Sequence, residues 1–169
     1  MNTVQISTIL NNTIGDGLLG VFPSDKLPRK VVGPAVLIVN TDPSNKPGGH
    51  WVAIYVRRDG IAEYFDSYGM PPQGKSISRF LNKFEGCYFS KQQIQGLFSS
   101  VCGHYCIFFA VRRWHNYSLE KILATFSENL EENDELITDW VNENFEVLTE
   151  TYNIEFLVNQ ICHALKNSE

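Results

Sequence analysis

The chain has 169 residues, a mass of 19.2 kDa and 43% hydrophobic, 12% aromatic and 20% charged residues, which excludes a disordered class and suits one compact domain spanning 1–169. A net charge of −5, a pI near 5.4 and only 14 Lys and Arg leave no basic footprint of a dedicated nucleic-acid binder. No apolar run is long enough to cross a membrane, the first residues lack a secretory signal, and four cysteines without such a signal read as reduced thiols.

Val4 to Ile14 carries apolar residues at 4, 6, 9, 10 and 14, a helical face that stops at Gly15-Asp16-Gly17. Leu18 to Pro34, broken by Pro23, Pro28 and Pro34, reads as a loop over one edge of the domain. Ala35 to Val39 is an unbroken apolar run ending at Asn40, the pattern of a strand buried on both faces, and Thr41 to Gly49 is a turn-rich loop. His50 to Val56 and Ile61 to Asp66 are aromatic and β-branched segments joined by Arg57-Arg58-Asp59-Gly60, which predicts a β-hairpin. The first residue of one strand and the last of its antiparallel partner share an end of the sheet, so the hairpin makes neighbours of His50 and Asp66.

Beyond the Ser67 to Pro72 turn, Ile77, Phe80, Leu81 and Phe84 repeat at helical spacing, and Cys87 to Ile94 reads as another strand. Gln95 to Trp114 runs from a short polar segment into an apolar helix closed by Arg112 and Arg113, with Cys102 at or near its first turn. From Ser118 the pattern is helical to the end of the chain, first through Leu119, Ile122, Leu123 and Phe126, then from Leu136 to Phe145, and last from Phe156 to Leu165. The acidic run from Glu128 to Glu135 reads as a solvated helix face. Together these elements describe an α+β chain.

A thiol at a helix start lies beside unpaired backbone N–H groups and the positive end of the helix dipole, which favour thiolate. Cys102 is therefore a candidate nucleophile, set against the plainer reading of a small buried hydrophobe. Acyl transfer by cysteine also needs a base, a group orienting that base and donors for the developing oxyanion. His50, Asp66 and Gln95 supply those residue types at element ends, where side chains can converge. Each has a plainer reading as well: a strand-end histidine, a turn-capping aspartate and a surface glutamine. Cys102, His104 and Cys106 fall short of a closed zinc site, which normally takes four ligands, so neither a metal nor another cofactor is expected.

The segments GGHWVAIYV, YFDSYG and QGLFSSVCGHYC resemble the adenovirus maturation protease, adenain, and more loosely the SUMO-specific proteases that share its fold. The order His50, Asp66, Gln95, Cys102 is the order of that group, with Trp51 directly after the histidine and Gln95 seven positions before the cysteine. The resemblance spans roughly positions 15 to 115 and includes AVLIVNT upstream. It implies a central mixed sheet flanked by helices and a catalytic logic like that of papain.

By that resemblance Cys102 would form the thioester, His50 would act as the proton carrier, Asp66 would orient it, and Gln95 would donate its amide to the oxyanion beside the backbone N–H of Cys102. Trp51, Gly49 and Gly103 would contact substrate, with glycine favoured on the acyl side of the cut. The function implied is a cysteine endopeptidase of a virus or virus-like element that matures capsid or core precursors inside the host cytoplasm or nucleus and in the virion. One alternative is an isopeptidase acting on ubiquitin-like tails that end in Gly-Gly; another is a binding module of the same fold without turnover. Adenain is activated by a peptide that bonds through a cysteine, and by DNA. An activating peptide is carried over as an expectation, but Cys87 is spaced differently and takes no assigned role. At a net charge of −5, activation by DNA is not expected, and neither is a membrane partner.

Overall fold

The computed structural model of the chain describes residues 1–145. Its first helix, α1 (Thr3–Ile14), begins where the Asn2 side chain accepts from the N–H groups of Val4 and Gln5 while the Gln5 side chain accepts from the Asn2 N–H. The stripe Ile6, Ile9, Leu10 and Ile14 turns inward, as the spacing predicts.

Five strands form one sheet in the order β1 (Leu18–Pro23), β2 (Ala35–Asn40), β3 (Trp51–Val56), β4 (Ile61–Phe65) and β5 (Gly86–Phe89). The outer pairs are parallel and the inner pairs antiparallel, so the sheet is mixed. β1 corrects the expectation of a loop over positions 18–34. Its pairing with β2 lies at the sheet edge, its register shifts between Leu18 and Gly20, and Pro23 sits at its end, where a missing N–H is tolerated. Such a strand is defined by its neighbour more than by its own pattern. β5 is likewise shorter than the predicted run, because from Ser90 the chain leaves the sheet and the Ile94 N–H bonds to the Ser67 carbonyl instead.

Helices cover both faces of the sheet, and every residue of β2 and β3 is buried. On one face α1, α3 (Cys102–Trp114), α4 (Leu119–Leu123) and a helix over 130–145, here α5, enclose a core that includes Phe65 stacked on Phe109 with ring centroids 4.6 Å apart. On the other face α2 (Lys75–Leu81) packs Ile77, Phe80 and Leu81 against Leu37, Ile54 and Tyr64. Each such side chain contributes roughly 1.5–3 kcal/mol of burial, so the two cores fix the sheet between them.

The helical pattern predicted from Ser118 is interrupted between α4 and α5, where Asn133 turns back to accept from the Ser127 N–H and donate to its carbonyl. Positions 146–169, with the predicted apolar stripe from Phe156 to Leu165, lie outside the described residues. The acidic run is not wholly solvated. Asn133 is buried, and Asp134 accepts hydrogen bonds from the Gly96 N–H and the Tyr105 hydroxyl. The sequence reading missed this because nothing in one helix's pattern names a distant loop as its partner.

One charged pair is enclosed by the sheet and α3. Arg113 donates from Nε and Nη2 to the Glu63 carboxylate at 2.6 and 2.9 Å, stacks over Tyr55 at 4.3 Å, and donates from Nη1 to the Tyr117 carbonyl. Both partners are under one-tenth exposed.

Candidate active site

The hairpin brings two functional groups to one end of the sheet. β2 and β3 pair to their ends at Asn40 and Trp51, and the loop between them is closed by Asn40 Oδ1, which accepts from Asp42 and Gly49, and by the Thr41 N–H bonded to the His50 carbonyl. His50 is thereby held just before β3, and Asp66 follows β4 directly. His50 Nε2 lies 2.8 Å from Asp66 Oδ1, as the hairpin geometry predicts. Asp66 is buried, and the same oxygen accepts the Tyr68 N–H at 2.9 Å, so it caps its turn and holds the imidazole at once.

That turn requires its glycine. Gly69 has φ +67, and a Cβ there would stand 2.7 Å from the backbone of Gln92. With the chain reversed, Tyr68 tilts over the His50 ring at a centroid distance of 4.8 Å and an interplanar angle of 33°.

Cys102 is the first residue of α3, and no side chain caps that helix. The dipole end and its unpaired N–H groups are therefore left to the thiol. Burial opposes ionisation of Cys102, but hydrogen bonding to His50 and the backbone groups of Trp51 and Gly103 bring its pKa below the ordinary thiol value. His50 shows the converse: burial pushes it down, and the bonds to Asp66 and Cys102 carry it up to about 9. Nε2 is engaged by Asp66, which leaves Nδ1 for the thiol. The two shifts describe one coupled pair that favours thiolate and imidazolium.

Cys106, one turn on, is fully enclosed, and burial first, then the charges of Cys102 and Asp66, raise its thiol well above the ordinary value. It packs in the core and does not join Cys102 and His104 around a common point. Among the described residues no group of three or more His, Cys, Asp or Glu is placed to hold a metal ion.

The thiol opens on a cleft of about 450 Å³ lined by Met1, Gly49, His50, Trp51, Tyr68, Ser99, Ser100 and Cys102. Met1, Gly49 and Trp51 also line a neighbouring recess of about 400 Å³ that extends along the loop from Asp42 to Gly48. The Trp51 indole is held by a bond from Nε1 to the Met1 carbonyl at 3.3 Å. Gly103 does not line the cleft. It lies beneath it, where a Cβ would meet Met1 at 3.1 Å and Trp51 at 3.5 Å, so its smallness lets α1 and the indole approach α3.

Gln95 is fully buried one layer behind the cleft wall. Its Oε1 accepts from the Ser67 hydroxyl at 2.6 Å, and its Nε2 donates to the Ser99 carbonyl and hydroxyl at 3.1 and 3.0 Å and reaches Tyr68 Oη at 3.3 Å. The structure thus places His50, Asp66 and Cys102 together, with Gln95 adjoining through Tyr68 and Ser99. Sequence reasoning gave no part to Tyr68, Ser67, Ser99 or Met1. The first two lie inside the YFDSYG segment, directly after Asp66, whereas Met1 carries no signal in the sequence that would place it in the cleft.

The sheet and its covering helices form an α+β fold shared with solved structures. The solved structure of ChlaDub1 from Chlamydia trachomatis has the same fold at a TM-score of 0.60, with 17% identity over 88% of this chain and 91% of that one. That of the Chlamydia trachomatis effector protein Cdu1 bound to ubiquitin matches at 0.60 and 17%, over 88% of this chain and 93% of that one. In sequence the chain is 32% identical over 107 residues to the cysteine protease S273R of African swine fever virus, isolate Tick/Malawi/Lil 20-1/1983. The match takes in 52% of this chain, which spans only 37% of that relative's length. No family model matches the chain.

Proposed function

We propose that the chain is a cysteine endopeptidase in which Cys102 is the nucleophile, His50 the proton carrier and Asp66 the group that orients it. The observation that carries this reading is the placement of His50 between a buried carboxylate and a helix-start thiol, with the two pKa values moved in opposite senses. The sequence similarity to a viral cysteine protease agrees with it.

The chemistry follows from the direction of the two shifts. Thiolate attacks the peptide carbonyl carbon, the carbonyl π pair moves onto oxygen, and the backbone N–H of Cys102 meets that oxyanion at the α3 terminus. For Gln95 Nε2 to serve as the second donor, the wall at Ser99 and Tyr68 must give way, since the amide is fully buried and bonded to both. Imidazolium gives its Nδ1 proton to the leaving nitrogen, the C–N bond breaks and a thioester remains. Neutral His50 then takes a proton from water as that water attacks, the C–S bond breaks and the thiolate returns. Throughout, Asp66 holds the Nε2 proton and offsets the charge on the ring.

For substrate, we infer the maturation of structural precursors of a virus or virus-like element, in the adenain manner, acting in the host cell and the virion. A second reading, removal of ubiquitin-like proteins, is favoured by the shared fold with a structure holding ubiquitin and by the glycine and aromatic walls of the cleft, Gly49, Trp51 and Tyr68. Incubating the chain with capsid-type precursor peptides and with a ubiquitin-like fusion, beside Cys102→Ala, separates the two. Cleavage of the peptides alone supports maturation, and cleavage of the fusion alone supports the deconjugase. Cleavage of neither, with an unreactive Cys102, leaves a binding module.

A further inference from the structure

The Asp66–Gly69 turn touches both halves of the site. Asp66 holds the imidazole, and Ser67, the next residue, makes three bonds to the Ile94–Gln95 segment, two of them to Gln95: its carbonyl accepts the N–H groups of Ile94 and Gln95 at 2.9 and 3.1 Å, and its hydroxyl donates to Gln95 Oε1 at 2.6 Å. Ser67 and Gln95 are both buried, so no water competes for that hydroxyl.

A carboxamide can sit in its pocket in two orientations that differ by exchange of oxygen and nitrogen. Here the Ser99 carbonyl selects one, and the Ser67 hydroxyl anchors the other end of it. The Ser99 carbonyl can only accept, which calls for Nε2 on its side, and the Ser67 hydroxyl satisfies the oxygen on the other. Without the hydroxyl, Oε1 would be a buried acceptor with no donor, and the carboxamide would lose one of the two ends that hold it. It would then be held only at Tyr68 and Ser99, two residues that line the Cys102 cleft.

We propose that Ser67 is a positioning residue: its hydroxyl orients the Gln95 carboxamide toward the oxyanion side of the cleft, so that one turn sets both the base and the oxyanion donor. The proposal rests on the proteolytic reading above and is tested apart from it. An aldehyde forms a hemithioacetal with a thiolate, placing an oxyanion where the tetrahedral intermediate would have one, whereas iodoacetamide alkylation reads the thiolate alone. The probe is a short peptide ending in Gly-Gly aldehyde, its affinity read by protection of Cys102 from iodoacetamide, in the native chain, Ser67→Ala, Gln95→Ala and the double variant.

The expected result is that Ser67→Ala weakens aldehyde binding roughly tenfold or more, that the double variant is no weaker than Gln95→Ala, and that the pH profile of alkylation is unchanged in all. Aldehyde binding that survives Ser67→Ala but not Gln95→Ala overturns the proposal, as do losses that multiply in the double variant. An altered alkylation profile in Ser67→Ala also overturns it, because the residue would then act through His50 or the fold. A native chain that alkylates readily yet forms no aldehyde adduct overturns the proteolytic reading together with the proposal. Should Ser67→Ala not fold, the near-isosteric pair Ser67→Thr and Ser67→Val replaces it, with binding kept by the variant that retains a hydroxyl and lost in the other.

Discussion

Replacing Asp66 by Asn removes a charge while keeping an oxygen that can accept from His50 Nε2 and the Tyr68 N–H. The substitution therefore isolates the electrostatic part of the carboxylate's work. His50 stands at about 9 against an ordinary 6.5 although burial pulls it down, a net rise worth about 3 kcal/mol of preference for the imidazolium that Asp66 and Cys102 together more than supply. If Asp66 supplies about half of the net rise, its loss lowers the imidazole by roughly one pKa unit, and the thiolate loses its charged partner about one pH unit earlier on the alkaline side. The assay is the rate of iodoacetamide labelling of Cys102 from pH 5 to pH 10, read by mass spectrometry, in the native chain and in Asp66→Asn. Labelling at pH 6–7, where the imidazole is charged in both, is expected to hold, and to drop below the native rate as pH rises through about 8–9, where only the native imidazole keeps its charge, before the two profiles converge toward pH 10 as the thiol ionises without help. A profile identical to the native one would refute the reasoning, since Asp66 would then be only a turn cap.

The same pair makes stability depend on pH. His50 is raised in the folded chain, so its contribution is fully present below about pH 6.5 and is lost as pH rises through about 9; His50→Gln should cost more stability at pH 6 than at pH 10 in urea titrations. Glu63→Gln leaves the Arg113 guanidinium enclosed without its counter-charge and should destabilise by about 3–5 kcal/mol, with the Cys102 alkylation profile unmoved, whereas replacing both by apolar residues should restore much of the loss. Asp134→Ala removes the acceptor for Gly96 and Tyr105 and should cost about 1–3 kcal/mol, seen as faster hydrogen exchange at Gly96. In the folded chain iodoacetamide should reach Cys102 and the exposed Cys87 but spare Cys106, which labels only on unfolding.

What the sequence determined by itself was local. The apolar run Ala35 to Val39, the hairpin around Asp59-Gly60 and the inward stripe of α1 were legible because each is written in short-range periodicity, and the turn between two antiparallel strands dictates that His50 and Asp66 meet. Cys102 was legible at a helix start because a polar segment gives way to an apolar run there. Tertiary structure decided the rest. β1 exists because β2 offers it an edge, which no pattern within Leu18 to Pro23 discloses. The bond of Asp134 to Gly96, the arrival of Met1 at the cleft and the enclosure of Gln95 between Ser67 and Ser99 join positions from distant parts of the chain. A side chain's own chemistry says what it can bond to; which partner reaches it is settled only when the two cores close on the sheet and bring the segments within hydrogen-bond distance.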